Sequence, residues 1–326
     1  MRALLCKEFG SVERLRIETM PDPVPATDEV VVDIHAAGLN FPDTLAIAGQ
    51  YQIRPQLPFI PGGEAAGEIV ALGDGVSNLE IGDRVMVSGA IGTFAEKICK
   101  PASEVITMPD SMDFETGAGF LAAYGTSYYA LRQRARLLPG ETLLVMGAAG
   151  GVGLAAVDIG SALGATVIAA ASSDEKLDIA CRAGASGRIN YTIEQLKDAA
   201  KSLTQGIGVD VVYDPVGGEL SEQAVRATAW NGRFLVIGFA AGDIPKIPLN
   251  LCLLKGCSIV GVFYGAWATR EPAAYKQNIS ELFAMYEDGK ISPLVSHVLR
   301  LEDYVDAFAI LTGRRTQGKI VFRIKD

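Results

Sequence analysis

Thr142-Leu-Leu-Val-Met-Gly147-Ala-Ala-Gly150-Gly151-Val-Gly153-Leu-Ala-Ala-Val-Asp-Ile159 decides the fold. A short apolar run ends in a cluster of glycines, and a helical pattern starts inside the cluster. Such a turn seats a dinucleotide pyrophosphate. Gly147 and Gly150 let the backbone turn tightly and approach the phosphates. Gly151 and Val152 open the helix and offer its free N–H groups to the anion, while Gly153 lets helix and strand pack closely. The strict G-x-G-x-x-G spacing is not met, because Ala148 stands where its first glycine would be.

Outward from this turn the chain alternates strand and helix. Strands are expected at 143–146, 166–171, 187–190, 209–213, 232–237 and 258–263. Helices are expected at 151–163, 174–183, 193–203 and 220–229, with a short helical piece at 249–254. Six strands joined by crossovers imply a doubly wound parallel sheet with helices on both faces, an α/β architecture that binds dinucleotides. Residues 142–171 are nearly uncharged, but six glycines and Asp158 interrupt them. A buried βαβ unit explains that hydrophobicity better than a membrane span does.

Before residue 124 the pattern is mainly β. Short Val- and Ile-rich strands at 15–19, 29–35, 68–71 and 83–87 are separated by Pro21-Asp-Pro-Val-Pro, Gly73-Asp-Gly and Gly82-Asp. A further strand follows Gly92, and Phe114–Ala123 begins a helix. After 263 the rhythm breaks: helix 273–288, strand 295–299, helix 301–311, strand 320–324. The simplest arrangement returns this segment to the N-terminal β region. The domains are then 1–123 with 264–326, and 124–263.

The chain has 326 residues, 49% of them apolar and 21% charged, which describes a folded globular protein of about two domains. Its net charge of −9 argues against a nucleic-acid or anionic-membrane surface. The five cysteines form no C-x-x-C pair, so a reducing, cytoplasmic setting is expected, with Cys252 and Cys257 as core residues. The opening Met-Arg-Ala-Leu-Leu-Cys is too short an apolar run for a signal peptide.

With the glycine turn in this context, the sequence resembles the medium-chain dehydrogenase/reductases, and within them the zinc-independent NADPH:quinone oxidoreductases. The resemblance covers essentially the whole chain. It rests on Ala36-Ala-Gly-Leu-Asn-Phe-Pro-Asp43, Pro61-Gly-Gly-Glu-Ala-Ala-Gly-Glu-Ile-Val70, Gly147–Gly153, Val211-Val-Tyr-Asp-Pro-Val-Gly217 and Gln317-Gly-Lys-Ile-Val. It implies a Rossmann cofactor domain inserted in a GroES-like catalytic domain.

The resemblance also frames the question of a metal. Zinc members of the superfamily carry Cys and His where this chain has Asn40 and Gly63, and neither is a good zinc ligand. The four-cysteine lobe that holds structural zinc is missing, with only Cys99 in that neighbourhood. His35 and His297 lie in strand-like segments and are expected to pack or hydrogen-bond there. No metal is expected, so an alcohol oxidation that needs a Lewis acid is disfavoured.

The expected cofactor is NADPH. An NAD site usually has an acidic residue at the end of the second strand, yet here that strand ends Ala171-Ser172-Ser173-Asp-Glu-Lys176. Hydroxyls and a cation suit a 2′-phosphate better than a carboxylate does. By resemblance, Ser173, Lys176 and Tyr191 are adenosine-phosphate contacts, with Ser172 beside them. Ser172 or Ser173 suits a helix cap equally well, and Lys176 a solvated helix face.

At the nicotinamide end, the resemblance implies Asn40 and Thr126, with Gly238-Phe239 and Phe263-Tyr264 following the fifth and sixth strands. Asp214 is read either as site floor, with Pro215, or as a turn residue. Gln317 and Lys319 either close over the cofactor or flank the last strand. A substrate cleft between the domains is expected to be lined by Asn40, Asp43, Tyr51, Thr126 and Tyr264. Asn40 or Tyr51 could donate to a developing oxyanion, and Tyr51 could supply a proton, though a rim or packing role suits Tyr51 as well.

Hydride transfer from NADPH to a quinone or other α,β-unsaturated carbonyl follows from these features. Reduction of an enoyl thioester is a near alternative, and a non-catalytic NADPH-binding regulatory protein a more distant one. The family resemblance and an apolar sixth strand at the sheet edge lead to the expectation of a homodimer.

Overall fold

The computed structural model describes residues 1–325. It divides into two compact units, one made of Met1–Ala122 together with the chain from Pro293 onward, the other of Ala123–Ser292.

In chain order the first unit begins with β1 (Arg2–Leu5), β2 (Arg16–Thr19) and β3 (Glu29–Leu39), then helix α1 (Phe41–Ile47). Strands β4 (Glu64–Leu72), β5 (Arg84–Ser88), β6 (Lys97–Pro101) and β7 (Val105–Thr107) follow, and then α2 (Phe114–Ala118). Helix α3 (Phe120–Tyr129) begins at the end of the first stretch and continues into the second unit, which runs through β8 (Thr142–Met146), α4 (Gly151–Ala162), β9 (Thr166–Ala171) and α5 (Asp174–Arg182). It continues with β10 (Gly187–Asn190), α6 (Leu196–Leu203), β11 (Val209–Asp214), α7 (Glu219–Ala227) and β12 (Thr228–Val236). Next come α8 (Asn250–Lys255), β13 (Ser258–Gly261), α9 (Tyr264–Arg270) and α10 (Pro272–Glu287). The chain then returns to the first unit with β14 (Val295–Arg300), α11 (Tyr304–Thr312) and β15 (Lys319–Arg323).

The second unit holds a six-stranded parallel sheet in the order β10-β9-β8-β11-β12-β13. The order reverses between β8 and β11, which in an open α/β sheet marks the ligand crevice at the carboxyl ends of the strands. Leu144, Met146, Ile168, Val212 and Phe234 fill its core.

The first unit is a mostly antiparallel sheet in the order β14-β15-β3-β4-β5-β7, with β6 also paired to β3. The expected return of the C-terminal strands is what builds one side of this sheet: β15 runs antiparallel to β3 and parallel to β14. Phe94 meets Phe322 edge-on at 5.0 Å in its core.

One expected boundary is displaced. The residues from 264 to 292 belong to the second unit, not the first. The break in βα rhythm at 263 comes from extra helices rather than from a return to the β region. Trp267 of α9 stacks on Tyr129 of α3 at 4.2 Å, and Asn278 of α10 exchanges amide hydrogen bonds with Gln133 at 2.6 and 3.2 Å. Strands β1 and β7 and helices α1 and α9 had no counterpart in the sequence expectations. The helix expected from Phe114 is divided at Gly119 into α2 and α3, and the one expected from 193 starts at Leu196.

Both histidines pack as expected. His35 lies 4.2 Å from the Phe114 ring, and His297 Nδ1 meets Ser296 Oγ at 2.8 Å. Cys257 is buried and Cys252 partly so, and all five cysteines are free thiols. Among the described residues, no helix is long and apolar enough to cross a membrane.

Candidate functional site

In the second unit, the strand ends assemble a cradle. Gly147 takes a φ of +58°, a conformation that glycine adopts without strain. Gly150 precedes the first turn of α4, whose opening N–H groups, from Gly151 to Gly153, have no partner within the helix by geometry. A side chain on Gly153 would place its Cβ 2.2 Å from the Gly147 carbonyl oxygen, so this contact admits only glycine. Ala148 needs no glycine freedom, because the left-handed residue is Gly147. Its N–H donates to the Ala170 carbonyl at 3.1 Å and its methyl is buried.

The neighbouring strand ends close in on this turn. A Cβ on Gly147 would lie 2.9 Å from the Val216 side chain, and one on Gly238 would lie 3.5 Å from the Pro215 carbonyl. Phe239 packs against Gly217 in the same loop cluster. Asp214 holds the turn that follows β11. Its Oδ1 accepts the Val216 and Gly217 N–H groups at 2.8 and 3.0 Å, and its Oδ2 accepts the Ser221 hydroxyl at 2.5 Å.

Sequence reasoning missed Ser127. This buried hydroxyl of α3 donates to the Val152 carbonyl at 3.0 Å and lies 2.9 Å from the Tyr213 hydroxyl. It ties α3, and with it the adjacent Thr126, to the first turn of α4. A Cβ on Gly125 would lie 2.1 Å from the Tyr264 hydroxyl, so Thr126 and Tyr264 share one neighbourhood. Phe263 is exposed. Tyr264 sits among Tyr129, Trp267 and Tyr275, with ring centroids 6.0 to 6.4 Å away.

At the end of β9, Ser173 caps α5, accepting the Lys176 N–H at 3.4 Å. The Lys176 ammonium reaches back to the Ser172 hydroxyl at 3.0 Å. Asp174, the nearest carboxylate in sequence, is drawn aside: its Oδ1 accepts the Asn190 amide at 3.2 Å and lies 3.5 Å from the Arg188 guanidinium. Tyr191 follows β10, its N–H donating to the Ala171 carbonyl at 3.2 Å. Ser172, Ser173, Lys176 and Tyr191 therefore surround the end of β9.

The first unit carries a second polar cluster. The register that sets Gly38 opposite Glu64 and Leu39 opposite Ile320 brings Asn40, Glu64 and Lys319 to one end of the sheet. Lys319 Nζ donates to Glu64 Oε1 at 2.5 Å and to Asn40 Oδ1 at 2.6 Å. Asn40 Nδ2 donates to Glu64 Oε1 at 2.9 Å, and the Ala122 N–H to Glu64 Oε2 at 2.8 Å. Glu64 is 1% exposed and Lys319 6%. Lys319 is the first residue of the last strand, and its ammonium bonds Glu64 and Asn40.

Asn40 also precedes the first turn of α1, where its backbone N–H donates to Asp43 Oδ2 at 2.7 Å. Asp43 is buried, and that burial pushes its carboxyl up to about 7, against the Asn40 N–H and the Lys319 charge, which favour ionisation. Burial, and then the Asp43 charge, hold the Tyr51 phenol above its ordinary range. Among the described residues, no group of three or more His, Cys, Asp or Glu side chains is placed to hold a metal ion.

The sequence and the fold have parallels among known proteins. A zinc-binding dehydrogenase domain model matches residues 151–284, and an alcohol dehydrogenase GroES-like domain model matches 26–110. Quinone oxidoreductase-like protein 2 of Bos taurus is 39% identical over 325 residues, covering 99% of this chain and 93% of that protein. The crystal structure of Escherichia coli quinone oxidoreductase complexed with NADPH superposes with a TM-score of 0.92 at 30% identity, over 99% of this chain and 100% of that one. A segment of a phenolphthiocerol/phthiocerol polyketide synthase of Mycobacterium tuberculosis is 34% identical over 97% of this chain, though it is 14% of that synthase polypeptide. The chain belongs to the quinone oxidoreductase-like branch of the medium-chain dehydrogenase/reductase superfamily, a family of oxidoreductases.

Proposed function

We propose that this chain reduces quinones or other α,β-unsaturated carbonyls with NADPH, without a metal. The carrying observation is Asn40. Its carboxamide rests on a buried ammonium–carboxylate pair, where it can donate a hydrogen bond to an oxygen that gains negative charge. The residue at the other zinc-ligand position of related dehydrogenases is Gly63, which has no side chain to bind metal.

The glycine cradle fits a pyrophosphate, since the first N–H groups of α4 have no partner within the helix and a Cβ on Gly150 would meet nothing nearer than the Gly147 carbonyl oxygen at 3.4 Å. Gly147, Gly150, Gly151, Val152 and Gly153 would hold that group. Ser172, Ser173, Lys176 and Tyr191 offer hydroxyls and a cation to a 2′-phosphate. Gly238, Phe239, Phe263, Tyr264 and Thr126 would border the nicotinamide. NADPH, when bound, supplies a hydride from nicotinamide C4. The protein's part is then orientation, exclusion of water and a donor for the acceptor oxygen. With an enone acceptor, the α-carbon also needs a proton, which Tyr51 or water supplies.

A panel of acceptors tests this directly. NADPH oxidation should proceed with 1,4-benzoquinone or 2-hexenal and be much slower with NADH. Preference for crotonyl-CoA would favour the second reading, enoyl-thioester reduction, which the similarity to the polyketide synthase segment supports. Tight NADPH binding by calorimetry with no turnover of any of the three would leave a binding protein instead.

A homodimer formed through the edge strand β13 is also proposed. Ile259 on this strand, and Leu249, Leu253 and Leu254 on and before α8, are exposed apolar side chains within one short run of chain. An open apolar edge invites pairing with a second copy. Sedimentation velocity at micromolar concentration should give a dimer, and a monomer there would refute it. Five free thiols are consistent with a cytoplasmic setting.

A further inference from the structure

Asn40 could present either end of its amide, and which end it presents decides what it recognises. The structure gives it two charged neighbours of opposite sign. Its Oδ1 faces the Lys319 ammonium, a group that can only donate, at 2.6 Å. Its Nδ2 faces the Glu64 carboxylate at 2.9 Å. Turning the amide over would set NH2 against ammonium and carbonyl against carboxylate, losing both bonds at once. The second Nδ2 hydrogen makes only a long approach, 3.5 Å, to the Gly38 carbonyl.

The fold makes room for this pair. A Cβ on Gly38 would lie 2.1 Å from the Ala118 carbonyl and 2.8 Å from Glu64 Oε1. A Cβ on Gly119 would lie 2.7 Å from Lys319 Cγ. The glycine that separates α2 from α3 thus stands where the Lys319 stem passes. Glu64 is further fixed by the Ala122 N–H at 2.8 Å.

We propose that Lys319 and Glu64 are positioning residues that lock the Asn40 amide with its N–H as the available end. The site thereby favours a group that accepts hydrogen bonds, such as a quinone or enone oxygen, and disfavours an alcohol hydroxyl as donor. The specificity half of this inference rests on the proposed contact between Asn40 and the acceptor. The lock itself does not.

The test uses the full-length protein with selectively 15N-labelled asparagine, the Asn40 side-chain signals being assigned by their loss in Asn40→Ala. Lys319→Met alone leaves Glu64 buried without its partner and can fail to fold, so Lys319→Met/Glu64→Gln removes both charges together. In the double variant the Asn40 NH2 protons should lose their downfield shift and exchange with water at least tenfold faster. Unchanged Asn40 signals in a folded double variant would overturn the lock.

Kinetics separate the two claims. The double variant should lose about tenfold in kcat/KM for 1,4-benzoquinone, while the Kd for NADPH stays within about twofold. In an Asn40→Ala background the same pair of substitutions should cause no further loss. An equal loss in both backgrounds would mean that Lys319 and Glu64 act independently of Asn40. If Asn40→Ala alone leaves kcat/KM unchanged while the amide signals still respond to Lys319 and Glu64, the lock stands and the acceptor contact falls.

Discussion

The native chain should lose stability between about pH 4 and pH 7, and Asp43→Asn should remove that loss. The Asp43 carboxyl is buried and titrates at about 7, against an ordinary value of 3.8. Between those two values the unfolded chain is ionised at this residue while the folded chain still holds the proton. The unfolded state binds fewer protons there, so stability falls as pH rises. The fall over about three pH units corresponds to about 4 kcal/mol, complete once the pH passes the folded value. Asparagine keeps an acceptor for the Asn40 N–H and carries no charge at any of these pH values. Urea unfolding of the two proteins should therefore give similar stabilities near pH 4, with the variant gaining progressively up to pH 8. The 13C resonance of the Asp43 carboxyl should titrate with a midpoint of about 7. A stability difference independent of pH would show that Asp43 ionises as an exposed carboxylate does.

Lys176→Glu should raise the KM for NADPH by roughly a hundredfold and that for NADH by no more than about threefold. The first effect combines loss of a charge-assisted hydrogen bond, worth about 1.5–3 kcal/mol, with repulsion between a new carboxylate and the 2′-phosphate. NADH has no phosphate there, so the substitution leaves it a local change near the adenosine. The geometry favours a specific effect, because the native ammonium already rests on the Ser172 hydroxyl at the end of β9. The control is Lys176→Met, which removes the charge without reversing it and should fall between native and Glu for NADPH. Equal changes in both Michaelis constants for Lys176→Glu would place the 2′-phosphate elsewhere.

The proposed cofactor half of the site could be put forward from the sequence because its features are local. The glycine turn, the Ser172-Ser173 strand end and the loop after β11 each lie within a few residues of a strand, and a strand's carboxyl end is where such ligands sit. The other half was only partly legible. Asn40, Glu64 and Lys319 meet across separations of 24 and 255 residues, through a strand register that no local pattern specifies. Asn40 was singled out by its place in a motif, Glu64 only as part of Gly62-Gly63-Glu64, and Lys319 as a residue with two possible places.

Helix α1 was legible in principle. Asn40 before the helix, a proline in its first turn and Asp43 at the third position form a recognisable N-terminal pattern. That pattern overlapped a stretch already read for chemistry. The misplaced boundary at 264 has a different origin. The long-range stacking of Trp267 on Tyr129 and the amide pair between Gln133 and Asn278 leave no periodic trace in the sequence.

The division of the first unit between two distant stretches of chain sets an order of assembly. The second unit is one continuous run, and its sheet is complete once β13 has been synthesised. The first unit stays open until β15 is available, because that strand lies between β14 and β3. On a ribosome the nested unit can close before the one that surrounds it in sequence, reversing the usual order of emergence. Throughout that interval the Glu64 carboxylate waits without its ammonium. The strand that completes the sheet also delivers the charge that lets its end be buried.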